Sequence, residues 1–134
     1  MMKIGQTAKT SRRFTEKDVA YFSFLSMDNN LIHLDEEYAK STRFGARIVQ
    51  GPLLDAMIGG LLGSSLPGIG TIYLSHETQF KKPVYIDEMI TAYIRVEHIR
   101  EDKNIVTFRK WVEKEDGTIA MEGASVVMSF KENL

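Results

Sequence analysis

Apolar residues recur with a helical period in the first half of the chain and with a strand period in the second half. The first helical pattern starts at Thr15-Glu16-Lys17-Asp18, where the Thr15 hydroxyl can cap free backbone N–H groups and the acidic side chains complement the helix dipole. Apolar residues then follow at helical spacing, namely Val19, Phe22 and Leu25. The pattern predicts a helix at about residues 15–26, after an extended arm or first strand over residues 2–14.

A polar segment follows this helix. Residues 27–34 include Asp28, Asn29 and Asn30. Aspartate and asparagine side chains compete with regular backbone hydrogen bonding, so the segment is predicted to be a loop. Asp35 can then cap a short helix from Glu36 to Ser41.

A second long helix is predicted from Pro52 to Leu66, because proline is tolerated in the first turn of a helix. Apart from Asp55 its side chains are apolar or small on nearly all sides, so the helix is expected to be buried. Glycines in a helix lower its stability, so Gly59, Gly60 and Gly63 predict that another backbone or a ligand packs very close.

Strand patterns occupy the rest of the chain. Apolar residues alternate clearly along Ile90–Arg100, and Asp116-Gly117 is typical of a hairpin turn. The predicted strands are Thr71–Lys82, Ile90–Arg100, Ile105–Glu113 and Ile119–Phe130. An antiparallel sheet with one apolar face needs a cover, and Pro52–Leu66 is the candidate with enough apolar surface. Residues 1–134 are therefore expected to form one α+β domain in which the sheet curls round a central helix.

Composition narrows the class of function. The chain has 134 residues, no cysteine, and 17 basic against 18 acidic side chains, for a formal net charge of −1. Disulfide and thiolate chemistry are excluded, and this charge balance does not favour nucleic acid or an anionic membrane as partner. No apolar run is long enough for a spanning helix. We expect a soluble, cytoplasmic domain.

The candidate chemistry depends on the three histidines. His98 and His76 lie within predicted strands, where a structural or surface role is the usual one. His33 lies in the polar loop, five residues after Asp28, where a carboxylate can orient it as a general base. The pattern alone still favours a structural histidine. It shows no metal-ligand spacing, no nucleophile motif and no phosphate-binding glycine motif.

The order of several short motifs nevertheless resembles one family, the MaoC-like (R)-specific 2-enoyl-CoA hydratases. The segment Ser26–Asp35 resembles their motif Asp-x-Asn-Pro-x-His-x-Asp. Further similar segments follow in the same order, and the match spans about residues 14–92. They are Tyr38-Ala39, Phe44–Gly51, Leu66-Pro67-Gly68 and Phe80–Val84.

This resemblance implies a hot-dog fold and a homodimer, or a larger assembly of dimers, with active sites at the subunit interface. It implies hydration of a trans-2-enoyl-CoA to an (R)-3-hydroxyacyl-CoA without a cofactor or metal. Asp28 and His33 would be the catalytic acid/base pair, Asn30 would orient the loop, and the Gly51 N–H would bind the thioester carbonyl.

The sequence departs from the family pattern at several positions. Leu31 stands for the usual proline, Gln50 for a histidine, Pro52 for a bulkier apolar residue, Gly59 for a serine of some members, and Asp87-Glu88 for Gly-Asp. We expect packing round Met57, Ile58 and Gly59 to set acyl length. Arg47, Lys81 and Lys82 are available cations for phosphates, although surface solvation is the more usual role of such side chains.

Three other functions remain open at this point. An acyl-CoA thioesterase and an acyl-carrier-protein dehydratase can share the same fold, and a non-catalytic acyl-CoA-binding module would keep the pocket without the chemistry.

Overall fold

A five-stranded antiparallel sheet curls round one long helix. The computed structural model describes all of residues 1–134. The strands follow one another across the sheet in the order β1-β3-β4-β5-β2, and α4 contacts β1, β2 and β3. The strands are β1 (Thr7–Arg13), β2 (Ile72–Phe80), β3 (Met89–Arg100), β4 (Ile105–Lys114) and β5 (Ile119–Met128); the helices are α1 (Glu16–Ser26), α2 (Leu31–Leu34), α3 (Glu36–Lys40) and α4 (Gly51–Ser64). The predicted α+β class and central helix are confirmed.

The core lies between α4 and the concave face of the sheet. Alternate side chains of β3 point to this face, as the alternation predicts, and four of them are buried: Ile90, Ala92, Ile94 and Val96. From α4 the buried side chains are Leu54, Met57, Ile58, Leu61 and Leu62. Burial of these groups is the main favourable contribution to folding.

One expectation for α4 is wrong. The helix is not buried on all sides, because a single sheet covers only one of its faces. A Cβ atom built on Gly59, Gly60 or Gly63 would meet no atom within 4 Å, so no other part of the chain packs closely there. Of the three residues expected to set acyl length, Met57 and Ile58 belong to the core, and Gly59 adjoins open space.

Short polar caps shape the connection between α1 and α4. The predicted loop contains a four-residue helix, α2, because the Asn30 side chain accepts a hydrogen bond from the Ile32 N–H at 3.2 Å. Asp35 caps α3 as predicted, through the Tyr38 N–H at 3.0 Å. These caps satisfy backbone donors that such short helices leave free.

The outer strands β1 and β2 each leave one edge of the sheet without a neighbouring strand. Most side chains along β2 are exposed. None of the helices is long and apolar enough to cross a membrane.

Candidate active site

The loop after α1 fixes one oxygen of the Asp28 carboxylate. Met27 ends the helix with a positive φ of 63°, and the Asp28 N–H donates to Ser26 Oγ at 3.2 Å. The Asn30 N–H then donates to Asp28 Oδ1 at 3.1 Å. The other carboxylate oxygen, Oδ2, accepts no hydrogen bond from the protein and is available for chemistry.

His33 faces this free oxygen and is held in one orientation. Its ring Nδ1 lies 2.7 Å from the backbone oxygen of Ile48. A carbonyl oxygen only accepts hydrogen bonds, so Nδ1 carries a proton and Nε2 is the basic nitrogen of the neutral ring. Nε2 lies 3.8 Å from Asp28 Oδ2, with the histidine side chain 9% exposed and the aspartate 42%. The structure therefore brings together the two residues that the sequence singles out.

Asn30 acts on the site through the backbone. Its side chain caps α2, the helix that carries His33, and its N–H binds the Asp28 carboxylate. It does not line the neighbouring cavity. The expected role of orienting the loop agrees with these contacts, whereas no contact with a ligand is indicated.

Gly51 is the first residue of α4 and adjoins the same cavity as His33. The cavity has a volume of about 580 Å³, and Leu54, Phe80 and Val84 form part of its apolar wall. The Gly51 N–H has no hydrogen-bond partner, as expected in the first turn of a helix. A Cβ atom at this position would lie 2.9 Å from the Phe80 ring, so only glycine fits without displacing it.

Gln50, where the family usually has histidine, joins α1 to the start of α4. Its Nε2 donates to the Val19 carbonyl and to Ser23 Oγ, both at 2.9 Å. The side chain is buried, so the substitution replaces one buried polar side chain by another. It ties the N-terminus of α4 to α1, the helix that precedes the loop with Asp28.

Three cations line the cavity, and two of them are among the three candidates that the sequence offered. Lys81 and Lys82 are present, together with Arg43, which the sequence did not single out. Arg47 instead contacts Glu16 and Glu36 at 2.8 Å each. The hydrogen bond that Arg47 donates to Glu16 is the largest cause that raises the pKa of Arg47. Arg47 therefore joins α1 to α3 and is not free to bind a phosphate.

The other histidines lie outside this site. His98 is exposed on β3. His76 faces α4 as well as solvent, because its Nδ1 lies 3.9 Å from Asp55 Oδ2 while its side chain is half-exposed. The same nitrogen lies 3.1 Å from the ammonium group of Lys110. No group of three or more histidine or acidic side chains is arranged to hold a metal ion.

Comparison with known proteins identifies the family. A model of the MaoC like domain matches residues 2–118. The chain belongs to the MaoC-like family. An (R)-specific enoyl-CoA hydratase from Aeromonas caviae is 42% identical to this MaoC-like chain over 126 residues, which cover 94% of each protein. A mitochondrial 3-hydroxyacyl-[acyl-carrier-protein] dehydratase from Solanum lycopersicum is 34% identical over 96% of this chain and 78% of the relative.

Solved MaoC-like structures share the architecture. The (R)-hydratase from A. caviae, described as involved in PHA biosynthesis, has a TM-score of 0.93 with this chain at 41% identity, covering 96% of this chain and 98% of the other. The hot-dog fold implied by the sequence resemblance is confirmed.

Proposed function

We propose that this MaoC-like protein is an (R)-specific enoyl-CoA hydratase, a hydro-lyase that adds water to a trans-2-enoyl-CoA to give an (R)-3-hydroxyacyl-CoA. The relative from A. caviae supports this assignment, because it carries that name and matches nearly the whole chain. The observation that carries the proposal is local: the basic nitrogen of His33 faces a free oxygen of Asp28, beside a cavity that the unpaired Gly51 N–H also adjoins.

Asp28 and His33 together would handle the water and both protons. Two atoms 3.8 Å apart can each contact the same water molecule at about 2.8 Å. The pair removes one proton as the water oxygen forms a bond to C3 of the enoyl group. The electron pair of the double bond moves toward the thioester oxygen, and a proton returned by the pair at C2 completes the product. Proton transfer of this kind contributes a rate factor of about 10²–10⁴.

Gly51 would stabilise the negative charge that forms on the thioester oxygen. Its N–H lies at the N-terminus of a 14-residue helix, where the aligned peptide dipoles favour negative charge. A donor positioned in this way before the reaction starts typically contributes about 10²–10³-fold in rate.

The cations at the cavity fit a CoA thioester. Arg43, Lys81 and Lys82 line the same cavity, and phosphate groups of CoA carry the complementary charge. A CoA substrate, which is charged and polar, also agrees with the cytoplasmic location expected from the sequence.

We also propose that the protein is a homodimer that joins through β2. This strand lies at a free edge of the sheet, and its unpaired backbone groups form a template for a further strand. Large apolar side chains are exposed along it, namely Ile72, Leu74 and Phe80. Two copies paired in this way would continue one sheet across both subunits, and residues 1–134 would act as one domain in each.

The test is the loss of absorbance at the enoyl-thioester band on mixing with crotonyl-CoA. We expect loss with the wild type and almost none with Asp28→Asn, together with (R)-3-hydroxybutyryl-CoA as product. Equal turnover by Asp28→Asn would overturn the site assignment. Release of free thiol from saturated acyl-CoA would instead identify a thioesterase, and acyl-CoA binding without any turnover would identify a binding module.

The carrier can be tested in the same assay. The similarity to an acyl-carrier-protein dehydratase makes a protein-bound enoyl thioester the second candidate substrate. A higher kcat/KM with the enoyl group on acyl carrier protein than on CoA would reassign the substrate and leave the chemistry unchanged.

A further inference from the structure

A second polar cluster lies between α4 and β2, outside the proposed catalytic pair. Its centre is Lys110, which is fully buried, with its ammonium group 2.6 Å from Asp55 Oδ1. The ammonium group also contacts Thr78 Oγ1 at 2.7 Å. We call it the Lys110 cluster; its members are Asp55, Tyr73, His76, Thr78, Lys110 and Ser125.

Nearly all hydrogen-bond donors and acceptors of the Lys110 cluster are paired with other members of the cluster. The three ammonium protons of Lys110 have four polar neighbours. The Tyr73 hydroxyl lies 2.6 Å from Ser125 Oγ, and burial is the main cause that raises the Tyr73 pKa to about 12. No cation remains free to bind an anionic ligand, so the cluster forms a wall and not an ion site.

Two alignments place this wall next to Gly51. On α4, Gly51, Asp55 and Gly59 are spaced four residues apart and so lie along one face of the helix. On β2, His76, Thr78 and Phe80 alternate and so share one face of the strand. Phe80 packs against Gly51, and His76 lies 3.9 Å from Asp55. The cluster is therefore about 6 Å, one helical turn, beyond the proposed thioester site.

The direction of the substrate follows from the charges. Lys81 and Lys82 come directly after Phe80 and lie on the cavity wall, so the CoA phosphates would be bound at the C-terminal end of β2. The acyl chain would then run the opposite way, past Phe80 toward Thr78 and His76. Open space at Gly59 lies on the same side of α4.

We propose that the Lys110 cluster restricts the enzyme to short enoyl chains, an inference that rests on the proposed hydratase function. Carbon–carbon bonds are about 1.5 Å long, so a four-carbon acyl group extends about 4 Å past its carbonyl carbon and an eight-carbon group about 9 Å. The shorter chain ends before the cluster. The longer chain covers the half-exposed side chain of His76 and removes its water without offering a hydrogen bond in return, which is unfavourable.

The experiment compares kcat/KM for crotonyl-CoA and trans-2-octenoyl-CoA. Wild-type kcat/KM should be at least about tenfold higher with the four-carbon substrate. The double variant Asp55→Leu/Lys110→Met removes both charges together, and its octenoyl-to-crotonyl ratio should rise by about tenfold. His76→Leu leaves the ion pair of Asp55 with Lys110 in place, so it carries the test should the double variant not fold; its ratio should rise at least about threefold.

Arg109→Met is the matched control. Arg109 precedes Lys110 on β4, points to the other face of the sheet and pairs with Glu122 at 2.9 Å. Loss of this charge should leave the substrate ratio unchanged, because the side chain does not face α4.

The outcomes separate the two proposals. A wild type that hydrates both substrates equally, or a ratio that neither the double variant nor His76→Leu changes, would overturn the role of the Lys110 cluster and leave the hydratase assignment standing. No hydration of either substrate would overturn both.

Discussion

The loop of residues 27–34, which carries Asp28 and His33, and the Lys110 cluster each pair a carboxylate with a nitrogen-bearing side chain, yet they differ in how completely the pair is hydrogen-bonded. Asp28 and His33 are 3.8 Å apart, and each is fixed by the backbone on one side only. Lys110 and Asp55 are 2.6 Å apart, with further partners around both. A pair whose facing atoms are held apart can take up a water molecule and move its protons. A pair in direct contact, with every donor used, can only shape the space around it.

The two regions also differ in how far their paired side chains are exposed to solvent. Asp28 is 42% exposed, whereas Asp55 is 14% exposed and Lys110 fully buried. Removal of one partner from a buried pair leaves the other charge unpaired, which is strongly destabilising. We therefore expect changes in the loop of residues 27–34 to affect rate, and changes in the Lys110 cluster to affect stability and substrate choice.

The largest expected effect is that of Asp28→Asn on rate. Asparagine keeps an oxygen for the Asn30 N–H but cannot accept a proton, so kcat/KM for crotonyl-CoA should fall by about 10²–10⁴-fold. The free energy of unfolding should stay within about 0.5 kcal/mol of wild type. Spectrophotometric kinetics and urea unfolding measure the two. Asp102→Asn, in an exposed turn, is the control, and a large loss of stability in Asp28→Asn would remove the distinction between the regions.

The single variant Lys110→Met should show the opposite profile. Asp55 loses its closest partner, so the protein should be destabilised by about 3 kcal/mol. Addition of Asp55→Leu should recover a large part of this loss, since no unpaired charge remains. Urea unfolding of both variants tests this, and a single variant as stable as wild type would show that the ion pair contributes little to the fold.

Gly51→Ala should lower the rate of hydration, but by less than Asp28→Asn does. The new methyl group would lie 2.9 Å from the Phe80 ring, and a small displacement of the helix N-terminus misplaces the N–H donor. We expect kcat to fall by roughly tenfold. Phe80→Leu in the same protein should restore part of it by making room. Full kcat in Gly51→Ala alone would show that the Phe80 ring makes room for the methyl group without displacing the N–H, and would contradict this prediction.

The smallest expected effect is a loss of stability at alkaline pH, caused by Tyr73 of the Lys110 cluster. The folded-state pKa of Tyr73 is raised above its ordinary value, mainly by burial, to about 12. The folded protein therefore holds this proton more tightly than the unfolded chain, and the contribution is complete below pH 10 and is lost as the pH rises toward 12. Stability should fall with pH in this window, and less steeply in Tyr73→Phe. Equal slopes in urea unfolding at pH 9 to 11 would contradict this.

Much of the fold could be predicted because it follows from local patterns. Alternation in Ile90–Arg100 marks a half-buried strand, and the Thr15–Asp18 motif forms the capping box that starts α1. The order of short motifs led to Asp28 and His33, which the structure places side by side. The role of Asn30 and the free N–H of Gly51 agree with the same resemblance, and the catalytic use of all four remains a prediction.

The Lys110 cluster had a weaker signal in the sequence. Lys110 shares the inward parity of Phe108 and Val112 on β4, and Asp55 is the one charge on an apolar helix. In the sequence each looks like an isolated charge at an apolar position, because the two residues are 55 positions apart along the chain. Only the packing of α4 on the sheet shows that the two exceptions compensate each other.

By itself, the sequence determined the class of fold, most of the helix and strand segments, and the loop that carries Asp28 and His33, since these depend on interactions between near neighbours. Tertiary structure decided the rest. It bound Arg47 into ion pairs, placed Arg43 at the cavity, left the Gly59 side of α4 open, and joined Asp55 to Lys110. Each of these contacts depends on how segments that are far apart in the sequence pack together. The spacing of residues along the chain does not specify which of them come into contact.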